Sequence, residues 1–369
     1  MKILVFTSRY TAGRDIISED FGRQVRLFEN LRKFGHEIDF FCVDYKKFEN
    51  RNISLHDMRI FIRPFRPLGL FGFLRELKKT IENNNYDLMI ATSDPLWGVM
   101  GYFIAGKYRI KFLYDIQDNY GVYKSYKMPF FGVFEKHVVR NSDLVMCASN
   151  ILSDNAKKIR KKKTITIPNG VDTKIFRPLN KAESRKRLNL PIDAKIISYI
   201  GSIQKIQGVD ILITAFEELR QEVNGIKLLI VGRVGAVVRE NFDFDKEGII
   251  YLGSLPQKEV VFAINASDVL VIPYPKNIFT EVMFAPYKIV EFMACNKPVV
   301  VTDAGEMHTH IKDKKMVAKA GSVADLKEKI KYALKVKEVN SRNAAVKFEW
   351  KDIAKKLNDV INEEIENIK

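Results

Sequence analysis

The fold is decided by one stretch of the chain, Pro286-Tyr287-Lys288-Ile289-Val290-Glu291-Phe292-Met293-Ala294-Cys295-Asn296-Lys297-Pro298-Val299-Val300. Proline suits the first position of a helix, where the missing N–H does no harm, and an apolar strand follows directly. Lys288 and Glu291 lie three residues apart, hence on one helical face near the positive N-terminal end. That geometry suits a carboxylate that binds sugar or ribose hydroxyls beside an ammonium that meets phosphate. From the spacing alone, however, an exposed ion pair on an ordinary helix is the favoured interpretation.

Short apolar runs alternate with amphipathic stretches on both sides of this segment. In the first half, strands are predicted over 3–6, 38–43, 59–62, 88–91, 112–114, 144–147 and 164–167. In the second half, they are predicted over 196–200, 227–231, 249–252, 269–272 and 299–301. Runs rich in Val, Ile and Leu are typical of parallel strands that helices cover on both faces. The pattern therefore predicts an α/β protein with two doubly wound domains.

A turn at Asn169-Gly170-Val171-Asp172 marks the boundary between these domains. We place an N-terminal Rossmann-like domain over 1–172 and a C-terminal Rossmann-like domain over 173–345. A chain of 369 residues is long for one hydrophobic core, which agrees with two domains.

The net charge of +16 is unevenly distributed. Residues 1–180 hold 31 Lys and Arg against 19 Asp and Glu, a balance of +12, and the remainder carries only +4. A basic first half indicates an anionic partner, such as membrane headgroups, a phosphorylated lipid or nucleic acid. Simply solvated lysines are an equally weighted alternative. No recognisable nucleic-acid-binding motif accompanies the charge, so nucleic acid is not a predicted partner.

Other classes of protein are disfavoured by the apolar runs and the cysteines. No run is long enough to cross a bilayer, and residues 1–6 are interpreted as a first strand and not as a signal peptide. Cys42, Cys147 and Cys295 are isolated, without the spacing of a zinc site. These features predict a cytoplasmic protein.

The Pro286 segment closely resembles the donor-binding helix of the GT4 family of retaining glycosyltransferases, which reads roughly P-x-K-x-x-E-x-[ML]-A-x-G-x-P-V-[IV]. Other stretches resemble the same family in the same order, namely 31–38, 142–149, 167–172, 176–178, 267–273 and 348–350. The resemblance implies the GT-B fold, in which two Rossmann-like domains face each other across a cleft. It also implies that a C-terminal helix within 346–369 packs back on the N-terminal domain.

The chain departs from the usual family pattern at three positions. The family usually has Gly-Arg after the first strand of the second domain and Lys-Gly five residues later, and these cations hold the donor diphosphate. Here Ser202 replaces the arginine and Gln207 replaces the lysine. The earlier glutamate of the family's E-x7-E falls on Met283. A subgroup with Gly-Ser and P-x-K-x-x-E resembles this chain, so we interpret the departures as a varied donor pocket. A catalytically weak subunit that binds a partner or a membrane is the alternative, and a sugar phosphorylase or epimerase is a third possibility.

The resemblance implies transfer of a hexosyl or N-acetylhexosaminyl group from a UDP or GDP sugar, with retention of anomeric configuration and without a bound metal or cofactor. Glu291 is expected to bind donor hydroxyls, and Lys288 or Lys205 to meet phosphate. The full set of expected donor-binding residues is Gly201, Ser202, Lys205, Gln207, Gly208, Gly232, Arg233, Pro286, Lys288, Ile289, Val290 and Glu291.

In the first domain, the segment from Tyr114 to Tyr120 follows a buried strand and resembles the family's strand-end His-Asp segment. Asp118 matches the aspartate and Gln117 takes the place of the histidine, so Asp118, Gln117 and Glu291 are the predicted catalytic residues. A turn that merely closes the strand is the alternative. The predicted acceptor-side residues are Gly22, Arg23 and Asn169, with Gly13-Arg14 competing for the place of Gly22-Arg23.

Two aromatic stretches with interleaved cations, 59–79 and 128–134, bear on the acceptor. Such stretches are typical of surfaces that bind anionic lipid, although buried rings among solvated cations are commoner in soluble enzymes. The basic run 157–163 is predicted to be exposed. We therefore expect a lipid-linked glycan or glycolipid acceptor, and an enzyme at the inner face of the cell membrane.

Overall fold

The computed structural model describes residues 1–11, 13–235, 243–244, 246–283 and 286–366. The chain divides into two compact units. The first unit comprises Met1–Asn169 and Trp350–Lys369, and the second comprises Gly170–Glu349. The first division lies three residues before the end of the predicted N-terminal domain, and the second lies four residues after the end of the predicted C-terminal domain.

The first unit is built on an eight-stranded sheet. Its strands, together with a short separate hairpin of β2 and β3, are β1 (Lys2–Ser8), β2 (Tyr10–Thr11), β3 (Arg14–Asp15), β4 (Glu37–Asp44), β5 (Arg51–Leu55), β6 (Met58–Pro64), β7 (Leu88–Ala91), β8 (Lys111–Ile116), β9 (Leu144–Cys147) and β10 (Thr164–Thr166). Its helices before the boundary are α1 (Arg23–Arg32), α2 (Leu70–Glu82), α3 (Pro95–Tyr108), α4 (Phe131–Asn141) and α5 (Asn150–Lys157). The order is β10-β9-β8-β7-β1-β4-β6-β5, and only β5 runs antiparallel to its neighbour.

The second unit is built on a six-stranded, wholly parallel sheet. Its strands are β11 (Lys195–Ile200), β12 (Ile226–Val231), β13 (Ile249–Tyr251), β14 (Val269–Ile272), β15 (Val299–Thr302) and β16 (Val317–Ala318). Its helices are α6 (Lys181–Arg187), α7 (Val209–Glu222), α8 (Gln257–Ala266), α9 (Tyr287–Ala294), α10 (Val323–Ala333) and α11 (Arg342–Ala345). The order β13-β12-β11-β14-β15-β16 is the doubly wound 3-2-1-4-5-6 arrangement.

The chain returns to the first unit through α12 (Trp350–Ile361), which continues as a π-helix over Asn362–Glu366. Helix α12 packs along α1. A buried hydrogen bond joins His36 Nε2 to Asn358 Oδ1 at 2.9 Å. Lys163 forms ion pairs of 2.6 and 2.9 Å with Glu363 and Glu364. None of the helices that the structure describes is both long and apolar enough to cross a membrane.

The sequence explains why these elements form where they do. The apolar strands are buried almost throughout, as a sheet covered on both faces requires. Asp94 caps α3 by accepting a hydrogen bond from the Leu96 N–H at 2.8 Å, and Pro95 occupies the first helical position. Every strand that the apolar runs predict is present, so the predicted α/β class is confirmed.

Candidate active site

The strand order of the second unit locates a ligand site by topology alone. Ligands of doubly wound sheets bind at the carboxyl ends of the strands, where the order reverses. In this sheet the order reverses between β11 and β14. Gly201 directly follows β11, and Pro273 and Tyr274 directly follow β14. The predicted donor residues Gly201 to Gly208 therefore lie at this edge.

Glycine allows two backbones to touch at the same edge. Gly201 and Gly232 end neighbouring strands with φ of 150° and 149°, a region that favours glycine. A Cβ added to Gly232 would overlap the carbonyl oxygen of Gly201, and a Cβ on Gly208 would overlap that of Pro273. Gly208, at φ 68°, begins helix α7. These three positions therefore need glycine for steric reasons, whatever ligand they meet.

Lys288 fills the space that Gly201 leaves open. A Cβ on Gly201 would overlap the Nζ atom of Lys288, so the ammonium lies directly against this backbone. Lys288 Nζ donates to Tyr199 Oη at 3.3 Å and lies 4.5 and 4.9 Å from the ring centroids of Tyr199 and Tyr274. Both tyrosines are buried. The predicted phosphate-binding lysine is thus held at the switch point of the sheet, whereas the other candidate, Lys205, is exposed on a 3-10 helix over Lys205–Gln207.

Ser202 and Gln207, which stand where the family usually has its cations, are joined to each other. Ser202 Oγ donates to Gln207 Oε1 at 3.1 Å. Tyr199 Oη lies within donating distance of the same Gln207 oxygen at 3.1 Å and of the Ser202 carbonyl at 2.6 Å. The side-chain oxygen of Gln207 is therefore already hydrogen-bonded within the protein.

The donor helix places its residues on two different sides. Glu291 is half-buried, one turn after Lys288 on α9. Burial of the Cys295 thiol and, second to it, the negative charge of Glu291 raise the pKa of that thiol to about 12. Ile289 and Val290 are fully buried in the core, so the prediction that they bind donor is wrong for their side chains. The N–H of Ile289 is also used within the protein, since it donates to the Pro286 carbonyl at 3.1 Å.

The remaining donor-side residues surround this edge. Pro286 precedes α9 and is half-buried. Arg233 is exposed, and its carbonyl accepts a hydrogen bond from the Ile203 N–H at 2.9 Å. The backbone of Met283 contacts the following loop, where its carbonyl accepts from the Glu306 N–H at 2.8 Å.

In the first unit, Arg23, which is predicted to lie on the acceptor side, has a structural role. Arg23 is 1% exposed, and its Nε and Nη2 atoms donate to the two carboxylate oxygens of Asp115 at 3.2 and 3.1 Å. Its Nη1 atom donates to the Pro168 carbonyl at 2.9 Å. A side chain enclosed in this way cannot reach a phosphate at the surface. Arg23 instead ties β8 to the segment that ends the unit.

Gln117 and Asp118 follow β8, as predicted, but they differ in how they are held. Gln117 Nε2 donates to Asp115 Oδ2 at 2.6 Å, and Gln117 Oε1 accepts from Gln24 at 3.1 Å. Asp118 accepts from the Asn119 N–H at 2.8 Å and from the Tyr123 hydroxyl. Burial raises the pKa of Asp118 above its usual value, against these two hydrogen bonds. A carboxyl group with a raised pKa is suited to exchange a proton with substrate.

The other predicted acceptor-side residues are Gly22 and Asn169, with Arg14 as a competing position. Gly22 begins α1 at φ 98°, where a side chain would be strained. The competing Arg14 pairs with Glu19 at 2.6 Å and stacks on Phe21 at 3.9 Å. Asn169 is half-buried at the end of the unit.

The structure adds site residues that sequence reasoning missed. Thr92 ends β7, beside the point where the strand order of the first sheet reverses, and donates to Asp115 Oδ2 at 2.7 Å. Tyr199 and Tyr274 hold Lys288 from positions 89 and 14 residues earlier in the chain. A polar residue directly after a central strand is the signal that would have found Thr92 and Tyr274; Tyr199, inside an apolar run, gives none. Among the described residues, no group of three or more His, Cys, Asp or Glu side chains is arranged to hold a metal ion.

Two family models match the chain, one in each half. A model described as Glycosyltransferase Family 4 matches residues 24–175, and one described as Glycosyl transferases group 1 matches residues 194–335. The matches cover both sheet edges described above. They agree with the order of the motifs along the chain.

Individual proteins give the same result. A D-inositol 3-phosphate glycosyltransferase of Acidothermus cellulolyticus is 26% identical over 54% of this chain, a stretch that spans only 47% of that relative. An uncharacterized glycosyltransferase of Methanocaldococcus jannaschii is 26% identical over 87% of this chain and 89% of its own length. HepE of Anabaena, solved with UDP and glucose, is 16% identical and covers 98% of this chain and 100% of its own at a TM-score of 0.75. The chain therefore belongs to the GT4-type glycosyltransferases with the GT-B fold.

Proposed function

We propose that the protein transfers a sugar from a nucleoside diphosphate sugar, with the nucleotide bound at the switch-point edge of the second unit. The observation that carries this proposal is the position of Lys288, whose ammonium lies against the Gly201 backbone between β11 and β14. A buried edge that presents a cation and glycine backbones suits a diphosphate. A UDP sugar is the favoured donor because the similarly folded HepE was solved with UDP and with UDP-glucose. Within this class, a hexosyl or N-acetylhexosaminyl group is the proposed cargo.

The residues have distinct proposed roles in this reaction. Glu291 binds donor hydroxyls, and Lys288 stabilises the charge that develops on the leaving diphosphate, assisted by the N-terminus of α9. Asp118, with its raised pKa, serves the acceptor hydroxyl, and Gln117 positions the reacting groups beside it. By resemblance to the family, the reaction retains anomeric configuration and needs no metal or other cofactor.

Titration calorimetry with UDP and GDP tests the donor proposal. The wild-type protein should bind one of the two, and Glu291→Ala should lose most of its sugar transfer in a purified assay. Lys258→Ala, an exposed position on α8, serves as the control. Unchanged transfer by Glu291→Ala would remove Glu291 from the site. Binding of neither nucleotide would favour the alternative, a catalytically weak subunit, which Ser202, Gln207 and Met283 motivate.

A lipid-linked glycan or glycolipid is the proposed acceptor, and a surface of the first unit supports it. Helix α4 brings together two stretches that are separate in the sequence. Its first turns expose Phe130, Val133 and Phe134, and the ring centroid of Phe134 lies 6.4 Å from that of the exposed Phe103 on α3. Its last turn contacts the basic run, since Lys162 Nζ donates to the Asn141 carbonyl at 3.1 Å. The basic–aromatic surface consists of Phe103, Met128, Phe130, Val133, Phe134, Lys136, Arg140, Lys157, Lys158, Lys161 and Lys162, all exposed.

The structure corrects the expected exposure of one residue of the basic run, and it agrees with the buried alternative for one ring of the stretch 59–79. Arg160, predicted to be exposed with its neighbours, is 4% exposed and donates to the Val139 carbonyl at 2.7 Å, so it anchors the basic run. In the stretch 59–79, Phe73 is buried among Phe6, Phe41 and Trp97. Leu68 and Phe71 of that stretch are exposed. Rings beside lysines suit the headgroup region of an anionic bilayer, so we propose that the enzyme works at the inner face of the cell membrane.

Flotation with liposomes tests the surface. The protein should float with phosphatidylglycerol-containing vesicles at low salt and less with pure phosphatidylcholine. Phe130→Ser with Phe134→Ser should weaken binding about tenfold or more, because two rings lose their insertion. Ile192→Ser, an exposed isoleucine of the second unit, is the matched control. Equal flotation of both variants would exclude this surface, and binding of RNA without vesicles would favour a nucleic-acid partner.

A further inference from the structure

Lys288 donates to a hydroxyl that belongs to a connected group of three neutral side chains. These are Tyr199, Gln207 and Ser202. The three are linked by hydrogen bonds of 3.1 Å between Ser202 Oγ and Gln207 Oε1, and of 3.1 Å between Tyr199 Oη and the same oxygen. The two positions at which this chain lacks a cation are therefore not independent losses. Gln207 supplies a side-chain oxygen toward which the tyrosine hydroxyl points, and the backbone carbonyl of Ser202 is the second acceptor.

The tyrosine hydroxyl has one proton and can use it only once. Burial, and the neighbouring Tyr274 after it, raise the pKa of Tyr199 well above its usual range, so the phenol stays neutral. Its proton is directed to the Ser202 carbonyl or to Gln207 Oε1, at 2.6 and 3.1 Å. The oxygen lone pairs are then left to accept from Lys288 Nζ at 3.3 Å. The network thus has a direction, from the ammonium through the phenol to the Ser202 carbonyl or the Gln207 side-chain oxygen.

The environment of the ammonium is otherwise aromatic. Two buried rings lie within 5 Å of Nζ, and among the described residues no carboxylate forms an ion pair with Lys288. Cation–π contacts hold the ammonium in place without neutralising its charge. A free lysine side chain must give up much rotamer freedom to bind a ligand, and one that is already held gives up less.

We infer that Tyr199, through the network with Gln207 and Ser202, positions Lys288 to bind the donor diphosphate at an edge where Ser202 and Gln207 replace the family's usual arginine and lysine. Tyr199 is a positioning residue in this scheme, because it acts through Lys288 and touches no substrate. The inference rests on the proposed function, since it assigns the network to the same nucleotide edge.

A double-mutant cycle read by calorimetry with UDP tests the inference. Lys288→Ala should weaken UDP binding by about tenfold to a hundredfold, as for the loss of a charge-assisted contact. Tyr199→Phe keeps the ring but removes the hydroxyl, and it should weaken binding about threefold to tenfold. In the Lys288→Ala background, Tyr199→Phe should have no further effect. If the buried Tyr199→Phe variant fails to fold, Gln207→Leu takes its place in the cycle. This variant changes the far end of the network and should weaken UDP binding by a similar factor.

Controls separate this inference from the proposed function. Lys195→Ala removes an exposed lysine from the opposite end of β11 and should leave UDP binding unchanged. Restoring the family's cation with Ser202→Arg in the Lys288→Ala background should recover part of the affinity. If Lys288→Ala binds UDP as tightly as the wild type, or if the effects of Lys288→Ala and Tyr199→Phe add, the inference about the network is wrong. The proposed function would remain intact in either case. A wild-type protein that binds neither UDP nor GDP would overturn both.

Discussion

The carboxyl ends of the two sheets are occupied by different kinds of group. In the first unit, polar side chains fill the edge and bond to one another, with Arg23, Asp115 and Gln117 joined in one buried group. In the second unit, glycine backbones fill the edge: Gly232 packs against the Gly201 carbonyl, and Gly201 leaves room for the side chain of Lys288. The charges at the edge of the first unit, the first edge, therefore neutralise one another. The edge of the second unit, the second edge, retains the positive charge of Lys288.

This difference teaches where a ligand can gain the most binding energy. An ion pair such as Arg23–Asp115 has already been desolvated on folding, and a ligand that displaced either partner would leave the other buried and uncompensated. Within the described part of the chain, the Lys288 ammonium lies against the Gly201 backbone, two rings and a neutral hydroxyl, and it forms no ion pair. An anion can therefore bind it without breaking an existing ion pair. These differences favour our proposal that the nucleotide binds at the second edge and that the first edge supports Asp118.

Removal of Arg23 should have the largest effect on stability. Arg23→Ala leaves the Asp115 carboxylate, which is not exposed at all, without its cation, and the expected loss is about 3–5 kcal/mol. Both tryptophans, Trp97 and Trp350, lie in the first unit, so tryptophan fluorescence during urea unfolding reports on this unit.

The matched control for this variant is Arg32→Ala. Its partner Asp57, at 2.9 Å, is largely exposed, so the change should cost less than about 1 kcal/mol. Similar losses for the two arginine variants would mean that the first edge is not held by its buried ion pair.

Alanine at the two glycines of the second edge should separate stability from binding. Both positions share nearly the same φ, so both variants carry a backbone strain of about 1–3 kcal/mol. The added methyl of Gly232→Ala also meets a carbonyl of the backbone, which must shift, and overpacking adds about 1–3 kcal/mol. The methyl of Gly201→Ala meets only the end of the Lys288 side chain, which can move away.

Gly201→Ala should therefore be the more stable variant and yet lose UDP binding, because its lysine is displaced. Hydrogen exchange of β11 and β12 measures the first effect, and calorimetry measures the second. Full UDP affinity in a folded Gly201→Ala protein would contradict the proposed place of Lys288 in the site.

Much of the fold followed from local patterns in the sequence. The predicted strands 88–91, 144–147 and 269–272 coincide with β7, β9 and β14 because each is a compact apolar run buried on both faces. Strand β5 was missed because it is an edge strand with mostly exposed residues, so it lacks that signal. Strand β16 has only two residues and was missed for its length.

The candidate site was less predictable because its contacts join distant parts of the chain. Arg23 and Asp115 are separated by 92 residues, and nothing in a motif shows that one will neutralise the other. Likewise, Lys288 and Tyr199 are 89 residues apart. The motif indicated which residues lie at the edge, but only the packing shows which of their charges are already used.

A second buried carboxylate of the first unit should reveal itself through pH. Glu135, on α4, is 7% exposed and accepts hydrogen bonds from the hydroxyls of Tyr114 and Tyr126. Among the residues that the structure describes, no cation forms an ion pair with Glu135, whereas Arg23 pairs with Asp115. Burial raises the pKa of Glu135 above its usual value, against these two hydrogen bonds. In the folded state the group therefore binds its proton more tightly than in the unfolded state.

The sign of the pH dependence follows from this proton affinity. The contribution of Glu135 to the free energy of unfolding is fully present below its unfolded pKa and is lost as pH rises through the higher folded pKa. Glu135→Gln should remove this loss, so its stability relative to wild type should rise with pH above about 4.5. The measurement is urea unfolding by tryptophan fluorescence at several pH values, with the exposed Glu82→Gln as control. A difference between wild type and Glu135→Gln that stays constant with pH would show that folding does not raise the pKa of Glu135, and it would contradict this prediction.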